Sequence, residues 1–340
     1  MGPATMRAVQ YTGYGGGAAA LQYVEISVPS LKKNEVLVKV EAASINPADW
    51  KIQKGMLRPF LPKFPCIPGI LTKTLVSTRE AVTDVAGEIA EVGSAVHEFK
   101  VGDKVLCKLN FGKGGGLAEY AVASESATVG RPAGVSAADA AGLPISGLTA
   151  LQALLSMGTR FDGTGGGGAN LLVTAASGGV GTYAVQLAKL GGHHVTATCG
   201  ARNLELVGSL GADEVLDYST PEGATLASPS GRKYDFVINA TDAVAWSALK
   251  PSLSGHGRVV DVTPSPGSYV ASALTVFSRR KISMLTLVSL GKEHMTFLLD
   301  LVAEGKLRTV IDSRHPFEKA AEAWERSMAG HATGKIIVEM

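Results

Sequence analysis

Residues Leu171 to Asn203, LLVTAASGGVGTYAVQLAKLGGHHVTATCGARN, constrain the fold more tightly than any other stretch of the chain. Leu171 to Val173 read as a buried strand, Ala176 to Gly181 as a tight glycine turn, and Val185, Ala188 and Leu190 as one face of a helix. His194 to Thr198 supply a second strand. Strand, glycine turn, helix, strand is the frame in which a glycine motif means dinucleotide binding. The first backbone N–H groups of the helix would face a pyrophosphate, and glycines at 178 and 181 would keep its approach clear. Ser177, Gly178, Gly179 and Val180 are the expected lining of that site.

The end of the second strand bears on which dinucleotide. An NAD site offers an Asp or Glu about twenty residues past the glycines to hold the ribose hydroxyls. Here the chain reads Thr198-Cys199-Gly200-Ala201-Arg202-Asn203, with no acid before Glu205. Arg202 can instead grip a 2′-phosphate through charge-assisted hydrogen bonds, so NADPH is the expected cofactor. The other reading of Arg202 is a solvated charge at a helix start.

A length of 340 residues suggests two domains, and a hydrophobic content of 46% supplies ample core. The formal net charge of +2 gives no footprint for nucleic acid or an anionic membrane. No run of eighteen apolar residues is long enough to span a bilayer, and strand-like Arg7 to Gln10 follow the first residues too closely for a secretory signal. Cys66, Cys107 and Cys199 are too few and too scattered for a disulfide framework. The expectation is a soluble, cytoplasmic protein.

From Met6 to about Ala123, short alternating or apolar runs (EVLVKVEAASI, DVAGEIAEVG, DKVLCKL, GGLAEYAVA) are broken by Gly, Pro and Asn-Pro, which argues for an all-β lobe. An alanine-rich helical segment spans Ser136 to about Ser156. Strands at Asp213–Leu216, Tyr234–Asn239 and Arg258–Val262 then alternate with helices, predicting a doubly wound parallel sheet. Helices at Glu293–Glu304 and Ala320–Met328 and a strand at Gly334–Glu339 are expected to return to the first lobe. The class is α/β, with residues 1–140 and 286–340 forming the β lobe and 141–285 the nucleotide-binding domain.

ASINPADWKIQKG, VGDKV, GGLAEY, GLTALQAL, AASGGVG, LGADEVLDY and HATGKIIV occur in this order. With them the chain resembles the zinc-independent quinone oxidoreductase branch of the medium-chain dehydrogenase/reductases, and within it the plant chloroplast envelope homologues. The resemblance implies a GroES-like β lobe, a Rossmann domain, NADPH, a homodimer, and reduction of quinones or of the C=C bond of α,β-unsaturated ketones and aldehydes. It also opens a chloroplast location reached without a cleaved leader. One departure is the stretch Ile70–Val82, which separates Ile67-Pro68-Gly69 from Thr83-Asp84-Val85, motifs that are contiguous in relatives.

Zinc alcohol dehydrogenases of the same superfamily bind metal through a Cys early in the β lobe and a His in a Gly-His-Glu segment. The corresponding positions here are Asn46, Thr83 and, for the Glu, Asp84. No catalytic or structural zinc is therefore expected. By the resemblance, Asn46 hydrogen-bonds the nicotinamide ribose or the substrate oxygen, unless it only forms the turn before Pro47. Thr149 is a nicotinamide-side contact or a helix cap; Tyr218, with Arg202, meets the adenosine phosphate. Asn239, Ala240 and Thr241 close a parallel strand, where ligands of such sheets sit. Lys335 is expected near the cofactor, against the alternative of a surface lysine. Lys51, directly after the Asn46–Trp50 motif, is the candidate oxyanion stabiliser, or else a loop lysine. A non-catalytic NADPH-binding protein, its cleft filled by Ile70–Val82, is the competing function.

Overall fold

The protein was described by a computed structural model covering residues 5–55, 82–109, 115–162, 168–285 and 288–340. The segment Ile70–Ala81 lies outside the described residues, as does Cys66. The chain divides into two compact units, Met1–Ile145 with Leu290–Met340, and Ser146–Ser289. These boundaries fall a few residues beyond 140/141 and 285/286.

The first unit opens with an antiparallel hairpin of β1 (Thr5–Gln10) and β2 (Gln22–Ser27). Next come β3 (Glu35–Ile45), α1 (Pro47–Gln53), β4 (Asp84–Val92), β5 (Lys104–Lys108), β6 (Tyr120–Ser124), β7 (Thr128–Gly130) and α2 (Ala137–Ala141). The helical segment expected as one piece is two. Pro144 lacks the N–H and the space to continue a helix but suits its first turn, so α3 (Pro144–Ser156) starts there.

The second unit alternates β8 (Asn170–Val173), α4 (Gly179–Leu190), β9 (His194–Cys199), α5 (Leu204–Ser209), β10 (Glu214–Asp217) and α6 (Pro221–Ala224). It continues with β11 (Tyr234–Asn239), α7 (Trp246–Leu249), β12 (Leu253–Asp261), α8 (Pro266–Thr275) and β13 (Lys281–Met284). Its six strands are parallel in the order β10-β9-β8-β11-β12-β13. Counting β8 as first, that is the 3-2-1-4-5-6 order of a Rossmann domain, with the strand order reversing between β8 and β11. Leu172, Tyr234, Val237, Leu253, Val259 and Ile282 form its buried core.

The chain then rejoins the first unit through α9 (Lys292–Ala303), β14 (Ile311–Pro316), α10 (Ala320–Met328) and β15 (Lys335–Glu339). The sheet of that unit runs β14-β15-β3-β4-β5-β7, with β6 also on β3. Strand β3 is long enough to serve two partners along one edge, β6 at Glu35–Lys39 and β15 at Ala42–Ile45, while β4 lies along the other. Trp324 of α10 is fully buried here, its Nε1 donating to Gln53 Oε1 at 3.0 Å. Among the described residues, no helix is long and apolar enough to cross a membrane.

Candidate active site

In the Rossmann unit the candidate ligand residues gather at the C-terminal ends of the strands. Ser177, Gly178, Gly179 and Val180 are all partly exposed, and Gly178, the residue before α4, provides no side-chain cap. The first N–H groups of α4 thus retain donor capacity of the kind that binds phosphate. The two glycines have different jobs. A Cβ on Gly178 would meet only the Ala175 carbonyl oxygen, at 3.3 Å, so that residue leaves room for an approaching ligand. A Cβ on Gly181 would come within 2.3 Å of Ala175 O and 2.6 Å of Ala176 Cα. Gly181 therefore does not clear the pyrophosphate; it lets the helix pack onto the turn, whose Ala175 holds a positive φ of 48°. Gly181→Ala should destabilise the unit by about 1–3 kcal/mol and weaken dinucleotide binding with it. Thermal unfolding with and without NADPH checks both.

At the end of β9, Tyr218 lies across Gly200, its hydroxyl 3.1 Å from where a Cβ would stand. Arg202 is exposed in the turn that follows, between Gly200 and α5. Where β11 ends, Asn239 is buried and committed to the protein. Its Oδ1 accepts from Thr174 Oγ1 at 2.7 Å and its Nδ2 donates to Val244 O at 3.3 Å. Thr174 in turn accepts from Ala240 N at 3.0 Å, and Thr241 Oγ1 accepts from Ala243 N at 3.1 Å. Asn239 thus ties the ends of β8 and β11 together at the switch point, and Ala240 and Thr241 are the partly exposed members of the three. Thr149 is buried in the middle of α3 and cannot cap a helix that starts at Pro144.

In the first unit, three adjacent strands bring together residues remote in sequence. Ile336 of β15 pairs with Ile45 of β3, and Ser44 of β3 with Asp84 of β4, so Lys335, Asn46 and Asp84 converge at one end of the sheet. Lys335 Nζ donates to Asn46 Oδ1 at 2.6 Å. Asn46 Nδ2 donates to Asp84 Oδ2 at 3.0 Å, and Lys335 Nζ stands 4.0 Å from that same oxygen. Asp84 also accepts from Ile145 N at 3.2 Å and from the Thr83 hydroxyl at 3.2 Å. Asn46, just before Pro47, is held extended at φ −115° and ψ 152°, as a residue preceding proline prefers. Asp49, in the first turn of α1, accepts from Asn46 N at 2.7 Å and Val82 N at 2.6 Å.

This cluster is buried, with Asn46 its most open member: relative exposures are 3% for Asn46, 0% for Asp84 and 2% for Lys335. Burial pushes the Lys335 ammonium below the usual lysine range, opposed by the charges of Asp84 and Asp49. Burial pushes Asp84 up, opposed by the Lys335 charge and the Asn46 amide. Asp49 rises to about 7, again from burial and against its two backbone N–H bonds. Lys335 is therefore no surface lysine, and it faces Asn46 and Asp84. Lys51 sits elsewhere in α1, its Nζ 5.7 Å from the centre of the Trp50 ring. The structure brings Lys335, and not Lys51, to the Asn46 amide. Asp84 and Asp49 are the members that sequence reasoning left out of the site. Asp49 had a signal, an acid three residues after an Asn that precedes a helix.

The N-terminal sheet matches the family model described as alcohol dehydrogenase GroES-like domain, over residues 32–133. Residues 210–338 match the model described as zinc-binding dehydrogenase. A protein of Arabidopsis thaliana named chloroplast envelope quinone oxidoreductase homolog is 58% identical over 337 residues, covering 98% of each chain. The chain belongs to the quinone oxidoreductase branch of the medium-chain dehydrogenase/reductases. Within that superfamily, a chloroplastic protein of the same plant, named NADPH-dependent alkenal/one oxidoreductase, is 33% identical over 99% of this chain and 80% of its own. Among solved structures, the quinone oxidoreductase of Coxiella burnetii aligns with a TM-score of 0.85 and 30% identity over 99% of both chains. The protein is accordingly an oxidoreductase enzyme with a GroES-like β lobe and a Rossmann domain, and the branch uses a nicotinamide cofactor. The donor-rich start of α4 and the opening at Gly178 fit such a cofactor's pyrophosphate.

The zinc named in the second family model is a different matter. Zinc needs thiolate, imidazole or carboxylate donors in a tetrahedral set. This chain has Asn46, Thr83 and Asp84 there, and the Lys335 side chain already within hydrogen-bonding distance of Asn46. That donor set does not fit zinc. Among the described residues, no group of three or more His, Cys, Asp or Glu could hold a metal ion. Cys107 and Cys199 are buried free thiols, pushed by burial up to about 12 and about 11, so neither supplies a thiolate near neutral pH.

Proposed function

We propose that the enzyme is an NADPH-dependent, zinc-independent reductase of α,β-unsaturated ketones and aldehydes. The observation that carries this reading is the cluster of Asn46, Thr83, Asp84 and Lys335. It offers the Asn46 amide as a hydrogen-bond donor, with Lys335 behind its oxygen and Asp84 as acceptor, where alcohol chemistry would use a Lewis acid. Bound NADPH supplies the hydride. Hydride addition at the β-carbon moves the C=C electrons toward the carbonyl oxygen as an enolate, and a proton taken up at the α-carbon completes the saturated product. Ser177, Gly178, Gly179 and Val180 hold the pyrophosphate, and Arg202 with Tyr218 the 2′-phosphate end. The name of the 33% relative supports both NADPH and the substrate class.

Quinone reduction as the main activity is the second reading, favoured by the name of the 58% relative. There a hydride and a proton reduce the quinone to the hydroquinone, with the same demand for a donor at the oxygen. Steady-state rates with NADPH and NADH against matched enones, enals and quinones separate the two. Higher kcat/KM on enones and enals supports the first reading, higher kcat/KM on quinones the second. An NADPH complex without turnover on any of them would leave a binding protein.

A homodimer belongs to this proposal. Strand β13 is an edge of the six-stranded sheet, and an uncovered edge invites a partner strand. Beside it in the chain, Leu274 is 79% and Phe277 101% exposed, apolar surface that association would cover. A chloroplast location, in preference to the cytoplasm, is supported by the names of the relatives.

A further inference from the structure

We propose that Lys335 acts through Asn46: its ammonium fixes and polarises the Asn46 amide, whose remaining N–H is the donor to the substrate's oxygen. The role rests on the reductase reading above; the geometry does not. An ammonium can only donate, and an ionised carboxylate can only accept. Lys335 at 2.6 Å therefore requires the amide oxygen on its side, and Asp84 at 3.0 Å requires the amide nitrogen on the other. With Lys335 as the ammonium and Asp84 as the carboxylate, these two contacts set the orientation of the Asn46 amide.

The consequence is a division of labour within one side chain. Asn46 Oδ1 is occupied by Lys335, so Asn46 meets a ligand only as a donor. One Nδ2 hydrogen is taken by Asp84; the second has a contact of 3.4 Å to Ser44 O, beyond the usual range of such bonds. That weakly engaged hydrogen is the one to be offered to a carbonyl or quinone oxygen, and it strengthens as negative charge develops there. Positive charge at Oδ1 withdraws electrons from the amide and makes its N–H a better donor. In zinc-dependent relatives a metal ion polarises the oxygen; here an ammonium and an amide in series do so. The charged groups facing the cluster are Asp84 on β4, Asp49 on α1, and Lys108 on β5, which pairs with Asp84 across the sheet. Asn46 is the catalytic residue in this arrangement and Lys335 the positioning residue.

The test compares Lys335→Met, Asn46→Ala, the double variant and Lys335→Arg, reading kcat and KM on a small enone and a benzoquinone alongside NADPH affinity. Each single substitution should lower kcat about 100-fold, with KM and NADPH affinity within about threefold. The double variant should fall no further than the singles, because both remove one relay. Lys335→Arg, which keeps charge and donor, should restore at least a tenth of wild-type kcat, and it carries the test if the Met variant does not fold. Losses that multiply in the double variant, or an Arg variant as slow as Met, would overturn the relay. Weakened NADPH binding at unchanged kcat would make Lys335 a cofactor contact instead. A wild type inactive on every substrate would overturn the reductase reading alone. The Asn46 side-chain amide resonances still report on the lysine then: they must move in Lys335→Arg, and stationary resonances would contradict the contact.

Discussion

Replacing Asp84 by Ala is expected to cost about 3–5 kcal/mol of folding stability, since it removes the larger of the two carboxylate charges that oppose the buried Lys335 charge and leaves Asp49 alone. The exposures are 0% and 2%, so water cannot solvate what the substitution strands. The same change removes the Asp84 acceptor from the buried Asn46 Nδ2 and from Ile145 N. Glu304→Ala is the matched control. Its partner Lys306 lies 2.7 Å away, but both side chains are more than half exposed, and surface pairs of this kind contribute about 0–1 kcal/mol. Denaturant unfolding of both variants gives the comparison. A loss below about 1 kcal/mol for Asp84→Ala would mean that the cluster tolerates an unpaired ammonium, contrary to the account.

The second large effect is on cofactor choice. Arg202→Ala should weaken NADPH about ten- to a hundredfold and leave NADH unchanged, because a hydrogen bond to a charged group contributes about 1.5–3 kcal/mol and only NADPH carries the 2′-phosphate. Arg202 is exposed in the turn from Gly200 to Asn203, and Tyr218 closes over Gly200. Titration of both dinucleotides against wild type and variant reads the effect. Equal weakening of the two, or of neither, would remove Arg202 from the 2′-phosphate site.

The parallel sheet was legible because its signals are local. Buried strands, a glycine turn and helical periodicity sit within Leu171–Asn203, and the strand Tyr234–Asn239 appears at the positions its apolar run predicts. Location at a strand end was likewise readable for Asn239; its use was not, since the partner Thr174 is 65 positions away. Gly181 and Gly178 look alike in sequence, and only the 2.3 Å approach to Ala175 O separates a packing glycine from one that opens a site.

Lys335 shows the limit most plainly. It and Asn46 are 289 positions apart, joined by the pairing of β15 with β3. The available hint was the unbroken run Ile336-Ile337-Val338, which reads as a strand buried on both faces and so draws its first residue inward. Lys51, chosen for its nearness to Asn46 in sequence, follows the turn of α1 to the Trp50 ring instead.

Conjugate reduction by a metal-free enzyme fixes where the transferred hydrogen must end. Chelator-treated protein would be incubated with NADPH deuterated at the nicotinamide C4 and a small enone, and the product read by NMR. The account predicts a saturated ketone with deuterium on the β-carbon. Deuterium on the carbonyl carbon, with the C=C bond intact, or loss of transfer on chelation would contradict it.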